Sequence, residues 1–184
     1  QLGDIDGDIY SISLSSNGYT LVVGLNTIYD EGSVRVYKYN GQAWVPIGGD
    51  IVGENINDHS GEFVLSLSSD GNIVAIGAWG NDDGGINSGH VRIYEWKEFN
   101  GNESDYNYSN FTSTSTSNKP IIVTDSKTPV TGTAYWTQLG QDIDGKNYNE
   151  RTMTVYLSSD GYKVATGGYR AHDSKGCVRV YEYN

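Results

Sequence analysis

The residues of this chain that could do chemistry are mostly carboxylates, and the densest group stands at its start. Segment 3–8 reads Gly-Asp-Ile-Asp-Gly-Asp, which spaces Asp4, Asp6 and Asp8 two residues apart. Calcium prefers several oxygen ligands of this kind, so the three aspartates are a calcium candidate. The match is partial, because no glutamate completes the ligand set and the related segment 142–146 has Lys146 in place of the third carboxylate. A solvated turn that caps its own backbone is the favoured alternative, and we expect no resident metal or cofactor.

Histidines and serines do not form the arrangements that catalysis or zinc binding needs. His59, His90 and His172 fall in different segments without short spacing, so they predict no zinc site. The recurrent serines stand at turns, and no Gly-x-Ser-x-Gly elbow is present. We therefore expect no catalytic residue and no enzyme.

Three asparagines in the insertion 97–135 carry the acceptor pattern for N-linked glycans. Asn102-Glu-Ser, Asn107-Tyr-Ser and Asn110-Phe-Thr satisfy the sequon, and no asparagine outside the insertion does. The insertion is rich in Ser and Thr, so its composition alone accounts for part of this clustering. We expect glycans on all three residues, which predicts a secretory route and a location outside the cell or at its surface.

The elements that position these residues come from a segment that the chain repeats three times. Residues 11–25, 64–78 and 154–168 each contain Ser-Ser-Asn/Asp-Gly between two apolar runs. Each copy is followed by Gly-x-Val-Arg-[Val/Ile]-Tyr, and the second and third copies are preceded by Trp-x-[Pro/Gln]-[Ile/Leu]-Gly-x-Asp-Ile. Leu14 and Leu67 occupy the same place in the first two copies and lie 53 residues apart. A fixed order of four short segments that repeats at about this distance is typical of propeller blades.

The alternation within each segment predicts strands. Ile12 and Leu14 alternate with serines, and a glycine after Asn or Asp supplies the positive φ of a tight turn. We predict an all-β chain of twelve short strands, a β-propeller-like array of three four-stranded antiparallel blades in one domain, 1–184. The predicted units span residues 8–53, 54–145 and 146–184, with residues 1–7 as an outer strand of another blade.

The second copy resembles a known repeat family. Gly61-Glu-Phe-Val-Leu-Ser-Leu-Ser-Ser-Asp-Gly-Asn-Ile-Val-Ala-Ile-Gly-Ala78 is similar to the Phe-Gly-x-Ser-Val and Gly-Ala-Pro stretches of FG-GAP repeats, which occur in integrin α-subunit propellers and in surface proteins. The resemblance implies a surface propeller. Two departures stand out: Trp79 replaces the usual proline, and a bare Ser-Ser-Asp-Gly turn replaces the family's calcium loop, which removes the inherited calcium site.

Composition narrows the range of partners. The formal net charge is −11 and no basic cluster exists, so nucleic acid and anionic membrane surfaces are poor partners. No run of 18 apolar residues appears, so we expect no membrane insertion. The lone cysteine, Cys177, is either an ordinary strand residue or one half of an intermolecular disulfide.

Two residue types recur in register on the third segment of each unit. The arginines are Arg35, Arg92 and Arg179, and the tyrosines are Tyr37, Tyr94 and Tyr181. The arginines predict a buried or half-buried guanidinium paired to a carboxylate or carbonyls of the same sheet. The tyrosines either pack between blades or stack on sugars or on a neighbouring subunit.

The ends of the chain match the same connection between units. Residues 1–5 resemble residues 138–143, a fourth-strand segment, while the third unit has no fourth strand of its own. An open blade would expose an unpaired edge. We therefore predict that the start of the chain is an assembly strand, formed by Gln1, Leu2, Gly3, Asp4 and Ile5. This strand would pair with the last segment of a neighbouring copy, at Val178, Arg179, Val180 and Tyr181. The alternative is a slice of a longer array.

These features predict a non-enzymatic extracellular structural or adhesive glycoprotein, a building block of a surface filament, appendage or coat. Its partners would be copies of itself, associated head to tail. The alternative is a surface propeller module that binds glycans or a protein ligand through its loops. The polar connections 30–31, 81–88 and 172–173 lie at equivalent positions and could form such a binding face.

Overall fold

The computed structural model describes residues 2–98, 134–169 and 175–183, and these residues form an all-β structure. Twelve strands are arranged in three antiparallel sheets. The described residues contain no helix, and hence none that could span a membrane. The all-β prediction is therefore confirmed. Its physical reason is that period-two alternation and frequent Gly-containing turns leave no stretch with helical spacing.

The first sheet contains four strands in chain order: β1 (Ile9–Leu14), β2 (Thr20–Leu25), β3 (Ser33–Tyr39) and β4 (Trp44–Val52). A tight turn joins β1 to β2, in which the amide of Gly18 donates to the carbonyl of Ser15 at 2.9 Å. Gly18 has a φ of +73°, and Gly71 and Gly161 have +78° and +79° at the same turn in the other units. The predicted turns are therefore confirmed, with glycine at the position where other residues would be strained.

The second sheet has five strands: β5 (Ser60–Leu67), β6 (Ile73–Ala78), β7 (His90–Glu98), β8 (Ala134–Gln138) and β9 (Ile143–Asp144). Both β8 and β9 pair with β7, with Tyr94 opposite Gln138 and Val91 opposite Ile143. The residues between β8 and β9 form a bulge, so β9 is the far end of the fourth strand. In the first sheet the β3–β4 register also shifts, yet β4 remains continuous.

The third sheet has three strands: β10 (Thr152–Leu157), β11 (Lys163–Gly168) and β12 (Cys177–Glu182). The prediction of four strands in every set is therefore wrong in detail, since the sheets contain four, five and three. Within the described ranges, β12 pairs with β11 and its other edge is unpaired. Strands β4 and β8 cover that edge in the other sheets.

The second sheet lies between the other two. Strand β5 packs on β1 and β2, and β10 packs on β5 and β6. One apolar core lies between the first and second sheets, and its buried members are Val22, Val34, Val36, Ile51, Val74, Ile76, Tyr94 and Trp136. A second core lies between the second and third sheets, and its buried members are Ala75, Val91, Val155 and Val164.

Candidate functional site

The third sheet exposes valines at positions that are buried elsewhere in the repeat. Val36 on β3 faces the second sheet and is 1% exposed, whereas Val180, at the same position on β12, is 68% exposed. Val34 and Val178 show the same contrast, with 0% and 75% exposure. The position is buried where another sheet follows, so its exposure on β12 marks a face that no described residue covers. Together with the exposed Tyr156 of β10, these valines form what we name the third-sheet face.

The first sheet has the complementary surface. Ile12 and Leu14 on β1 are 66% and 55% exposed. Their repeat equivalents on β5, Leu65 and Leu67, pack against the core between the first and second sheets. We name the surface of Ile12 and Leu14 the first-sheet face. Each internal junction therefore joins a surface like the third-sheet face to one like the first-sheet face.

The segment 2–5 belongs to no strand, and its glycine lies close to the first sheet. Its sequence matches residues 139–143, which form the bulge after β8 and the first residue of β9. A Cβ on Gly48 of β4 would lie 2.9 Å from Cδ1 of Trp136 in the second sheet. A Cβ on Gly3, the equivalent glycine, would lie 3.7 Å from Cδ1 of Trp44 in the first sheet. Residues near Gly3 thus approach the first sheet as β4 approaches the second.

A series of backbone hydrogen bonds links the turns of successive units. The amide of Ser16 donates to the carbonyl of Ser69 at 3.1 Å, and the amide of Ser69 donates to the carbonyl of Ser159 at 2.9 Å. We call this series the serine relay. In the part of the chain that the structure describes, no hydrogen bond extends the relay before Ser16 or beyond Ser159.

The arginine of the first unit pairs as predicted within its own sheet. Arg35 donates to both carboxylate oxygens of Asp50 on β4, each at 2.6 Å. Arg92 instead takes its partners from the strand and linker that precede its own sheet: it donates to the carbonyl of Val52 at 3.1 Å and lies 3.5 Å from Glu54. For Arg92 the prediction of a partner in the same sheet is wrong, because its side chain points across the junction.

In the third unit, Arg179 pairs with the fully buried Glu150, which precedes β10. Burial raises the pKa of Glu150, but hydrogen bonds from Arg179, the Asn147 side chain and the Lys146 amide outweigh it and bring the pKa down to about 2. Cys177 on β12 is a free thiol 3.5 Å from the same carboxylate.

The recurring tyrosines pack rather than face solvent. Tyr94 is fully buried in the core between the first and second sheets. Tyr37 on β3 is 8% exposed. Tyr181 packs against the core between the second and third sheets. This burial favours packing over sugar stacking for these three side chains.

The predicted calcium candidate is not assembled. Asp4, Asp6 and Asp8 are exposed, and among the residues that the structure covers they do not form a group of converging ligand atoms. The glycosylation candidates Asn102, Asn107 and Asn110 lie outside the described residues, as do Gln1 and the segment 172–173.

A group of ligand-type residues that the sequence did not predict lies at the junction of the first and second sheets. We name it the junction cluster, and its members are Glu54, Asp83, His90 and Asp142. One atom from each lies within 4.8 Å of the others. Glu54 comes from the linker after β4, Asp83 from the β6–β7 connection and His90 from the start of β7, while Asp142 is in the bulge before β9.

Burial dominates the electrostatics of this cluster. Burial lowers the pKa of His90 to about 3, and the nearby positive charge of Arg92 acts in the same direction, so the imidazole is neutral. Burial raises the pKa of Glu54 to about 7 despite the attraction of Arg92, and Asp142 and Asp83 raise it further. Burial also raises the pKa of Asp142. The guanidinium of Arg92 thus attracts both Glu54 and Asp142.

Comparison with known proteins assigns no family. No family model matches the chain, and no curated protein matches it. Among solved structures, one described as the crystal structure of the tricorn protease is similar with a TM-score of 0.48 and 10% identity. The match covers 95% of this chain and 17% of that chain, so this chain spans less than a fifth of that protein's length. A likeness at this level assigns neither a fold nor an activity.

Proposed function

We propose that this chain is a non-enzymatic structural glycoprotein of an extracellular assembly, in which β-propeller-like units of successive copies stack head to tail. The observation that carries the proposal is the burial contrast at one repeat position, where Val36 is covered by the next sheet and Val180 is bare. The resemblance of the repeats to FG-GAP propeller repeats and the three sequons support the extracellular part of the proposal.

The internal junctions provide the template for the contact between copies. In that contact the first-sheet face of one copy packs on the third-sheet face of the next, as Leu65 and Leu67 pack on Val34 and Val36. Residues 2–5 of the first copy then pair with the open edge of β12 as its fourth strand. Because a bare strand edge and a bare apolar face adjoin in the third sheet, one partner satisfies both.

A pair of complementary variants tests the proposal. Val178→Asp with Val180→Asp blocks the third-sheet face, and Ile12→Asp with Leu14→Asp blocks the first-sheet face. Each variant alone should remain monomeric where the unaltered chain assembles, because a buried, unpaired carboxylate is costly. A mixture of the two should form discrete dimers, since each variant retains one working face. Sedimentation velocity measures all three states.

Ile28→Asp is the matched control, because Ile28 is 92% exposed in the β2–β3 connection and belongs to neither face. It should assemble like the unaltered chain. An unaltered chain that stays monomeric at millimolar concentration, or a mixture that yields no dimer, contradicts the proposal and favours a monomeric binding module. The mass of the native polypeptide distinguishes two arrangements: separate copies stacked on one another, and further repeat units within one longer chain.

A further inference from the structure

The junction cluster holds a buried histidine whose ring nitrogens lack hydrogen bonds to the described residues. His90 is 0% exposed, and in the described ranges neither of its ring nitrogens has a hydrogen-bond partner. Buried polar atoms in proteins are usually paired, so an imidazole without a protein partner at either nitrogen points to a partner of another kind. Its Nδ1 faces two carboxylates, 3.7 Å from Oδ2 of Asp142 and 3.9 Å from Oε2 of Glu54. Both separations are too long for hydrogen bonds.

The charge of the site is also unbalanced. Glu54, Asp83 and Asp142 bring three carboxylates together, and the guanidinium of Arg92 approaches Glu54 at 3.5 Å while it also donates to the carbonyl of Val52. A divalent cation between the carboxylates and Nδ1 of His90 would neutralise the remaining charge and supply the missing partner of this nitrogen.

The geometry points to a binding site for a divalent cation of the first transition series, such as Zn²⁺, held by Glu54, Asp83, His90 and Asp142. The imidazole nitrogen selects this class, because Ca²⁺ and Mg²⁺ favour sites made of oxygen alone. The ligand atoms of a tetrahedral Zn²⁺ bound at about 2.1 Å are about 3.4 Å apart. The ligand atoms already lie within 4.8 Å of one another, so small side-chain movements close the site.

The repeat itself shows that this site belongs to one junction only. The position of His90 is occupied by Ser33 in the first unit and by Cys177 in the third, and the position of Glu54 by Lys146 in the linker before the third unit. Only the junction between the first and second sheets therefore combines the imidazole with the glutamate. A bound cation would connect the linker after β4 to the start of β7 through their shared coordination.

Titration of the chelator-treated full chain with Zn²⁺ tests the site, in a Cys177→Ser background that removes the free thiol as a competing ligand. We expect one equivalent to bind, with Mn²⁺ weaker and Ca²⁺ weaker still. At a Zn²⁺ concentration about 100 times Kd, the melting temperature should rise by about 5 °C or more. His90→Ser places the residue of the first unit at this position and removes a ligand. It should weaken Zn²⁺ binding at least about tenfold, because even the loss of a residue that only supports a ligand has an effect of that size.

Asp83→Asn provides a second variant that leaves the fold intact, because Asp83 is exposed, and it should also weaken binding. His59→Ser is the matched control, since Nδ1 of His59 is already 3.0 Å from Glu62 and the residue lies outside the cluster. The chain has three histidines, so NMR can follow each imidazole, and Zn²⁺ should shift one signal that is absent from His90→Ser. Equal Zn²⁺ binding by the background chain, His90→Ser and Asp83→Asn, or no stoichiometric binding by the background chain, would overturn the inference.

Discussion

Gly71 lies against the side chain of Thr20 in the preceding sheet, so closely that a Cβ on Gly71 would fall 2.5 Å from the Cβ of Thr20. Gly161 stands in the same relation to Ile73, at 2.5 Å from its Cδ1. Gly18, the equivalent glycine of the first unit, has nothing within 4 Å of the same point. The turn glycines therefore serve two purposes, the positive φ of the turn and close approach between sheets.

The two purposes can be separated by substitution. Gly18→Ala should cost about 1 kcal/mol of unfolding free energy, because only the strained φ is affected. Gly71→Ala should cost about 3 kcal/mol, because its methyl group also collides with Thr20. Urea denaturation of the two variants measures the difference. Equal costs would show that the first and second sheets do not approach as closely as described.

The buried pair of Glu150 and Arg179 predicts a specific loss of stability in acid. The pKa of Glu150 lies well below its ordinary value of 4.5, so its contribution is complete above about pH 5 and is lost as the pH falls toward 2. Glu150→Gln should lower stability at pH 7 by roughly 2 kcal/mol and flatten the decline between pH 5 and 2.

Thermal melts across this pH range check the prediction. Glu182→Gln is the control, because Glu182 pairs with Lys163 in the open, and the surface pair should contribute little. If Glu150→Gln and the unaltered chain declined in parallel below pH 5, the buried pair would not be a source of acid sensitivity.

Deletion of residues 1–7 tests the donated strand separately from the apolar faces. The deletion leaves Ile12, Leu14 and all strands of the first sheet in place, so the first two units should remain folded. Assembly should nevertheless be abolished, because β12 of the neighbouring copy would keep an open edge. Light scattering and near-UV circular dichroism measure the two properties. A truncated chain that assembles as the intact one does would rule out this joint.

Native material should carry N-linked glycans on Asn102, Asn107 and Asn110 and on no other asparagine. The expectation rests on the sequons, which occur only in this insertion. Mass spectrometry of intact glycopeptides decides it, with the peptide around Asn81 as an internal negative control. Unmodified asparagine at all three positions would remove the main support for the secretory route.

The sequence predicted local geometry well, because the relevant physics is local. Alternation around Ile12 specifies a strand, and Gly18 after Asn17 specifies a tight turn whatever lies beyond it. The division of the fourth strand at Leu139 was not predictable, because β4 carries the same motif with the same register shift and stays continuous. Small differences in backbone geometry decide whether pairing persists across a bulge.

The junction cluster was not predicted from the sequence, for a different reason. Glu54, His90 and Asp142 are far apart in the chain. The pairing of β9 with β7 brings Asp142 near His90, and the packing of the first sheet on the second brings Glu54 to both. A signal nevertheless existed in the departures from the repeat. His90 replaces the small polar residue of the other units, and Asp142 matches Asp50, which pairs with an arginine in the first sheet.

The serine relay has a direction within the chain, and an assembly that continued the relay from copy to copy would share that direction. Both of its hydrogen bonds point the same way, from the amide of an earlier unit to the carbonyl of a later one. The backbone amide of Ser159 is therefore left at one end of the relay, and the backbone carbonyl of Ser16 is left at the other. A fibre extended by this relay would have chemically different tips and no twofold axis across its length. Its two tips would grow at unequal rates, and a cell-surface anchor shaped for one tip would orient every fibre outward in the same sense.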